Sequence, residues 1–158
     1  MKPQAFTISK DSLINSIITD AAMRQSAELC RDYKLICQEA GVLALWDTGA
    51  SGSMISKGLA SHLNLKAIDM CLIQGVSGLQ QSPVYLIDIL LPSKVIISNV
   101  RVTEFLDNGI FSIIIGMDII TMGDLAISNK DGKTMVSFLV PPSDNPIDFT
   151  QMIKKEVP

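Results

Sequence analysis

Short apolar runs alternate with polar breaks along this chain, and few of them have the spacing of a long helix, which predicts a mostly β fold. Residues 5–9 and 13–19 are rich in β-branched side chains and bounded by Lys10-Asp11 and Asp20, which reads as a hairpin. Residues 33–38 and 41–46 predict a second pair of strands, joined near Glu39-Ala40-Gly41. The latter ends in the unbroken apolar run Val42-Leu43-Ala44-Leu45-Trp46 and stops at Asp47-Thr48-Gly49-Ala50, as a buried strand stops at a tight turn. Ser56 as an N-cap, followed by Leu59, Ala60 and Leu63, predicts a short helix over 57–64 despite Gly58. Strands over 70–74 and 83–91 flank the glycine-bearing tip Gly75-Val76-Ser77-Gly78, and Pro92-Ser93 turns the chain into a strand over 94–103, giving a projecting hairpin. Asp107-Asn108-Gly109 is a further turn, and residues 110–115 form a second buried strand ended by Gly116. One or two helical turns fit 117–123, and residues 125–128 and 134–140 form a last hairpin around Asn129 to Lys133. Pro141-Pro142 and Pro146 stop regular structure before a mobile or docked tail.

Composition narrows the class. At 158 residues the chain holds one core, so a single domain over 1–142 with a C-terminal tail over 143–158 is expected. A charged fraction of 18%, a net charge of −3 and an apolar fraction of 47% leave no basic stripe for nucleic acid and argue against disorder. Every long apolar stretch is interrupted, by Asp88 and Lys94 or by Asp118, so no membrane-spanning segment is expected. The mean hydropathy of +0.34 leaves two readings open, a subunit interface or a well-filled core. Met1-Lys2-Pro3-Gln4-Ala5-Phe6 lacks the apolar core of a secretory signal, which makes the cytoplasm the expected location. Cys30, Cys37 and Cys71 lack metal-site spacing and read as small apolar fillers rather than as a disulfide framework. The lone histidine, His62, reads as an ordinary helix residue, and no metal or cofactor is expected.

An Asp at the end of a buried strand with no assured His or Cys partner has limited chemistry. Two carboxylates a few ångströms apart cannot both ionise, so one keeps a proton while the other acts as a base. Such a pair polarises a carbonyl and deprotonates a water, which is peptide hydrolysis without a covalent intermediate. The chain has no second Asp-Thr-Gly or Asp-Ser-Gly. A dyad therefore requires Asp47 of another copy across a two-fold axis. On its own the tetrapeptide is also an ordinary strand-ending turn, and Asp118 also reads as a helix-start residue.

Three elements in order, Asp47-Thr48-Gly49-Ala50, Gly75-Val76-Ser77-Gly78 and Ile113-Ile114-Ile115-Gly116-Met117-Asp118, span about half of the chain. In them the chain resembles the retropepsin-type aspartic proteases, the single-domain homodimeric proteases of retroviruses and retrotransposons and their cellular and bacterial relatives. The resemblance implies a closed or partly open β-barrel with a flap hairpin and one or two short helices. It implies an aspartic endopeptidase in which Asp47 supplies the catalytic carboxylate and Thr48 braces the two loops across the dimer. Gly49 would let backbone approach the dyad, and Gly75, Val76, Ser77 and Gly78 would close over an extended polypeptide. Ala50 cannot donate a hydrogen bond to the carboxylate, so activity nearer neutral pH is expected than a Ser-bearing site would give. The helix after the active-site turn resembles the cellular and bacterial relatives more than the compact viral enzymes, and the hairpin over 124–140 is a candidate for the dimer sheet. The competing reading is a catalytically silent dimerisation or peptide-binding module with the same fold.

Overall fold

The apolar run ending at Trp46 is a strand, β3 (Glu39–Trp46), paired antiparallel with β2 (Ile17–Gln25) on one side and parallel with β8 (Ile113–Ile115) on the other. In the computed structural model, which describes residues 2–75 and 78–156, this trio begins a closed ring. β8 pairs with β4 (Met54–Ser56), β4 with β7 (Val95–Phe105), β7 with β6 (Gly78–Leu91), and β6 returns to β2 through Ala22↔Leu90 to Gln25↔Ile87. Among the described residues β5 (Ala67–Gly75) pairs only with β6 and lies outside the ring, so β5 and β6 project as a hairpin.

Alternation along the strands fills the barrel. Ala44 and Trp46 point inward from β3, and they meet Ile55, Ile87, Ile89, Val95, Val102, Ile113 and Ile115, all buried. Each fully buried aliphatic side chain contributes about 1.5–3 kcal/mol. A second sheet, in the order β1 (Gln4–Lys10), β10 (Lys133–Val140), β9 (Asp124–Lys130), lies against the barrel. Its seam is aromatic. The Trp46 ring lies 5.0 Å from Phe138 and 5.8 Å from Phe6, tilted as aromatic pairs prefer. Trp46 Nε1 donates to Thr19 Oγ1 at 3.1 Å, which satisfies the buried indole directly behind Asp47.

Among the described residues four α-helices decorate the strands, α1 (Ala27–Tyr33), α2 (Lys57–His62), α3 (Met117–Ile120) and α4 (Phe149–Glu156), beside a 3-10 turn at Pro92–Lys94. α2 starts where the sequence places it, with Ser56 Oγ accepting from the Leu59 N–H at 3.3 Å. α1 replaces the strand expected over 33–38. Ser26 caps it, Lys34 adopts a left-handed conformation at its end, and residues 34–38 form no strand. That reversal carries Cys37 back to Cys30, and the two form a disulfide, so they are not the separate apolar fillers the spacing suggested. Cys71 is free and half-buried on β5.

Residues 5–9 and 13–19 do not pair with each other. β1 pairs with β10 and β2 with β3 and β6, because Phe6 and Ile8 find their apolar neighbours on β10 and β2 completes the barrel. Met23 lies in the core, whereas Met70, Met122 and Met135 are exposed. Among the described residues no helix is long and apolar enough to cross a membrane.

Candidate active site

Asp47 follows β3 directly, and main-chain hydrogen bonds fix its place. Its N–H donates to the carbonyl of Ile115, the last residue of β8, at 2.9 Å. The Met117 N–H donates to the Ala50 carbonyl at 2.8 Å, so the adjacent ends of the parallel strands β3 and β8 are stitched together on both sides of the turn. Within the turn the Ala50 N–H donates to the Asp47 carbonyl at 3.2 Å, and the Gly49 N–H donates to Asp47 Oδ1 at 2.8 Å. This side-chain turn fixes the carboxylate, which is half-buried, while Thr48 and Gly49 are exposed.

A second layer holds the turn from below. The buried Ser53 donates from Oγ to Asp118 Oδ1 at 2.7 Å and from its N–H to Asp118 Oδ2 at 3.0 Å, and its Oγ accepts the Gly116 N–H at 3.0 Å. Asp118 lies in the first turn of α3, where it also accepts from the Ile119 N–H at 3.0 Å, and it clamps the loop that carries Asp47 as well. Gly116 is needed for close approach. A Cβ there would lie 2.7 Å from the carbonyl of Gly52 and 2.9 Å from that of Ala50. Sequence reasoning missed Ser53 as a brace, and the only available signal was a hydroxyl between Gly52 and an apolar strand.

By the alternation of β3, Asp47 follows Leu43 and Leu45 on the outer face, opposite the buried Ala44 and Trp46. Leu45 pairs with Ile18 on one side and Ile114 on the other, and Ile114 pairs with Met54. The four half-buried apolar side chains form a continuous shelf beside the carboxylate.

The hairpin of β5 and β6 ends at the pair Gly75↔Gly78, where Gly78 has a φ of 101° that favours glycine. Val76 and Ser77 lie outside the described residues. One face of the hairpin carries Met70, Leu72 and Leu79, exposed at 55%, 66% and 68%. An apolar face left open on a projecting hairpin is suited to covering a ligand. The opposite end of β3 holds a separate cavity of about 610 Å³, lined by Gln25, Leu35, His62 and Lys66 among others. Among the described residues no cluster of His, Cys, Asp and Glu is arranged to hold a metal ion.

No protein-family profile matches the sequence, and a search of curated proteins finds no match. Solved structures do match in shape. A retropepsin-like aspartic protease from Rickettsia conorii superimposes with a TM-score of 0.53 at 10% identity, over 89% of this chain and 97% of that one. The simian foamy virus protease matches over 67% of this chain and 93% of its own, with a TM-score of 0.45 and 15% identity. The retroviral protease-like domain of Ddi1 from Leishmania major matches over 84% of this chain and 100% of its own, with a TM-score of 0.44 and 15% identity. With its closed six-stranded barrel, its projecting hairpin and its agreement over nearly the whole Rickettsia structure, the chain has the retropepsin-type fold.

Proposed function

We propose that the chain is an aspartic endopeptidase that acts as a homodimer, with Asp47 and Asp47 of the partner subunit sharing one proton and activating a water against a peptide carbonyl. The observation that carries this reading is the mounting of Asp47. A single carboxylate is fixed by the Gly49 N–H at the stitched ends of two parallel strands, on a fold whose solved neighbours are aspartic proteases. Asp118, the other acid at the site, has both oxygens engaged by Ser53, which leaves it poorly suited to pair with Asp47. A second copy is therefore the natural source of the dyad.

In this reading the carboxylate removes a proton from the water while the protonated partner polarises the scissile carbonyl, and collapse of the tetrahedral intermediate returns the proton to the leaving amine. Sharing one proton between like charges at close range is the general pattern of aspartic proteases. Thr48 braces the paired loops and Gly49 leaves room for backbone. Residues 75–78 close over an extended peptide, with Ile18, Leu45, Ile114 and Met54 receiving apolar side chains beside the scissile bond. The domain is residues 1–142, and 143–158 is an appended tail. The outer edges of β1 and β9 in the three-stranded sheet are the surfaces we assign to the second copy.

Profiling a peptide library with wild type and Asp47→Asn tests this directly. Hydrolysis should fall by at least about 10³-fold in the variant, while its dimerisation persists. Unchanged cleavage by Asp47→Asn sinks the assignment, and a well-folded wild type that cuts nothing favours the silent peptide-binding module.

A further inference from the structure

On the outer face of β3, beyond the apolar shelf, lies a shallow trough of about 510 Å³. Asp20, Gly41, Leu43, Ile110 and Ser112 line it. Asp20 and Leu43 are direct cross-strand partners, so they project from the same face as Leu45, and both are exposed. Gly41 forms the next outward position along the strand. Its φ is not in the left-handed region, and a Cβ built on it would have no neighbour within 4 Å. Neither backbone conformation nor crowding therefore demands glycine at Gly41. Glycine inside a strand weakens it and often marks where a ligand or another chain approaches closely.

Asp20 is the charged residue among those lining the trough. Asp20 stands at its rim, and Glu39, the following outward residue of β3, is paired in register with Arg24. The nearest cation on β2, Arg24, is engaged by the buried Asp88 at 3.3 Å. The trough thus pairs apolar walls, Leu43 and Ile110, with an anionic rim, which suits the aliphatic stem and charged head of Lys or Arg.

We infer that this trough is a distal substrate subsite that selects a cationic side chain several residues from the scissile bond; this rests on the endopeptidase reading above. Leu43 lies four residues before Asp47 on one strand, about 13 Å away at strand rise. An extended peptide advances by the same amount in about four residues. The substrate class is therefore an extended polypeptide with an apolar residue beside the cut and Lys or Arg about four residues from it. Asp20 is a specificity-determining residue, and Gly41 keeps the floor of its subsite open.

A matched series of peptides tests the inference, with one apolar cleavage site and Lys, Gln or Glu moved through the second to sixth positions on either side. Wild type should cleave the Lys peptide about fivefold faster in kcat/KM than the Glu peptide at one position near the fourth, with the preference shrinking as salt is raised. Asp20→Asn should bring that ratio close to one, and Gly41→Val should raise KM for the Lys peptide with little change in kcat. Equal rates for Lys and Glu at every position, or a preference that survives in Asp20→Asn, overturns the subsite. Binding of the same labelled peptides to Asp47→Asn separates the two claims. A Lys preference in binding without cleavage by wild type leaves the trough and removes the protease reading, whereas cleavage without the preference does the reverse.

Discussion

Gly116 shows how narrowly the site is built. Its missing side chain lets the end of β8 lie against the carbonyls of Ala50 and Gly52, and its N–H meets Ser53 Oγ at 3.0 Å. A methyl group cannot fit without moving the loop that carries Asp47. Gly116→Ala should therefore cost about 1–3 kcal/mol in unfolding experiments and lower kcat about 100-fold through misplacement of the carboxylate. Wild-type kcat in that variant would show that the loop tolerates the shift. Tyr85 makes a residue-scale prediction about pH. Burial, helped by the Glu104 carboxylate that accepts its hydroxyl at 2.7 Å, pushes the phenol up to about 12. The folded state holds this proton after the unfolded chain has lost it. The contribution is thus complete below about pH 10 and is lost as pH rises from there towards 12. In chemical denaturation at pH 9 and pH 11, wild type should lose more stability between the two than Tyr85→Phe does, and parallel losses would contradict the assignment.

At the scale of elements, the sequence is most legible where one residue type has one job. Ser56 caps α2 as its hydroxyl and the following apolar spacing suggest, and Gly116 ends β8 where the apolar run ends. Pairing between distant segments is a different matter. The strands around Lys10-Asp11 read as a hairpin because β propensity is local, yet β1 finds its register on β10, 130 residues away at Thr7↔Ser137. The β-branched content of residues 13–19 says that a strand is present and does not say which edge it joins. α1 was hidden for the same reason. Its seven residues have only Cys30 buried, so no apolar stripe follows Ser26 to mark it as an N-cap, and the left-handed Lys34 is visible only in the backbone. With α1 hidden, the Cys30–Cys37 disulfide was hidden too, since the return of the chain depends on the helix. Closing a ring this short stabilises by about 2 kcal/mol in the chain-entropy view. Cys37→Ser should lower stability by that amount, and a dithiol reductant should do the same to wild type while leaving the variant unaffected. Equal stability of oxidised wild type and Cys37→Ser would contradict the clasp. A reducing cytoplasm, the compartment suggested by the first residues, would hold this pair as thiols, so its state in cells also reports the compartment.

At the scale of the whole molecule, the single Asp-Thr-Gly and the exposed apolar surface belong together. Met70, Leu72 and Leu79 on the hairpin and Ile127 on the edge strand β9 are exposed, and in the proposed mechanism one Asp47 supplies half of the dyad. Of the two readings left open by the high mean hydropathy, the well-filled core is present in the barrel, and the apolar surface that remains outside it is what the proposed second copy would cover. The central claim is that activity requires two copies of Asp47 in one site. Mixing wild type with Asp47→Asn at a fixed total concentration, after subunit exchange, measures this directly. With equal amounts of each, activity per total protein should fall to about a quarter of the pure wild-type value, because only dimers with two wild-type subunits carry the dyad. A fall to about one half, in simple proportion to the wild-type fraction, would mean that each chain cuts alone and would contradict the shared dyad.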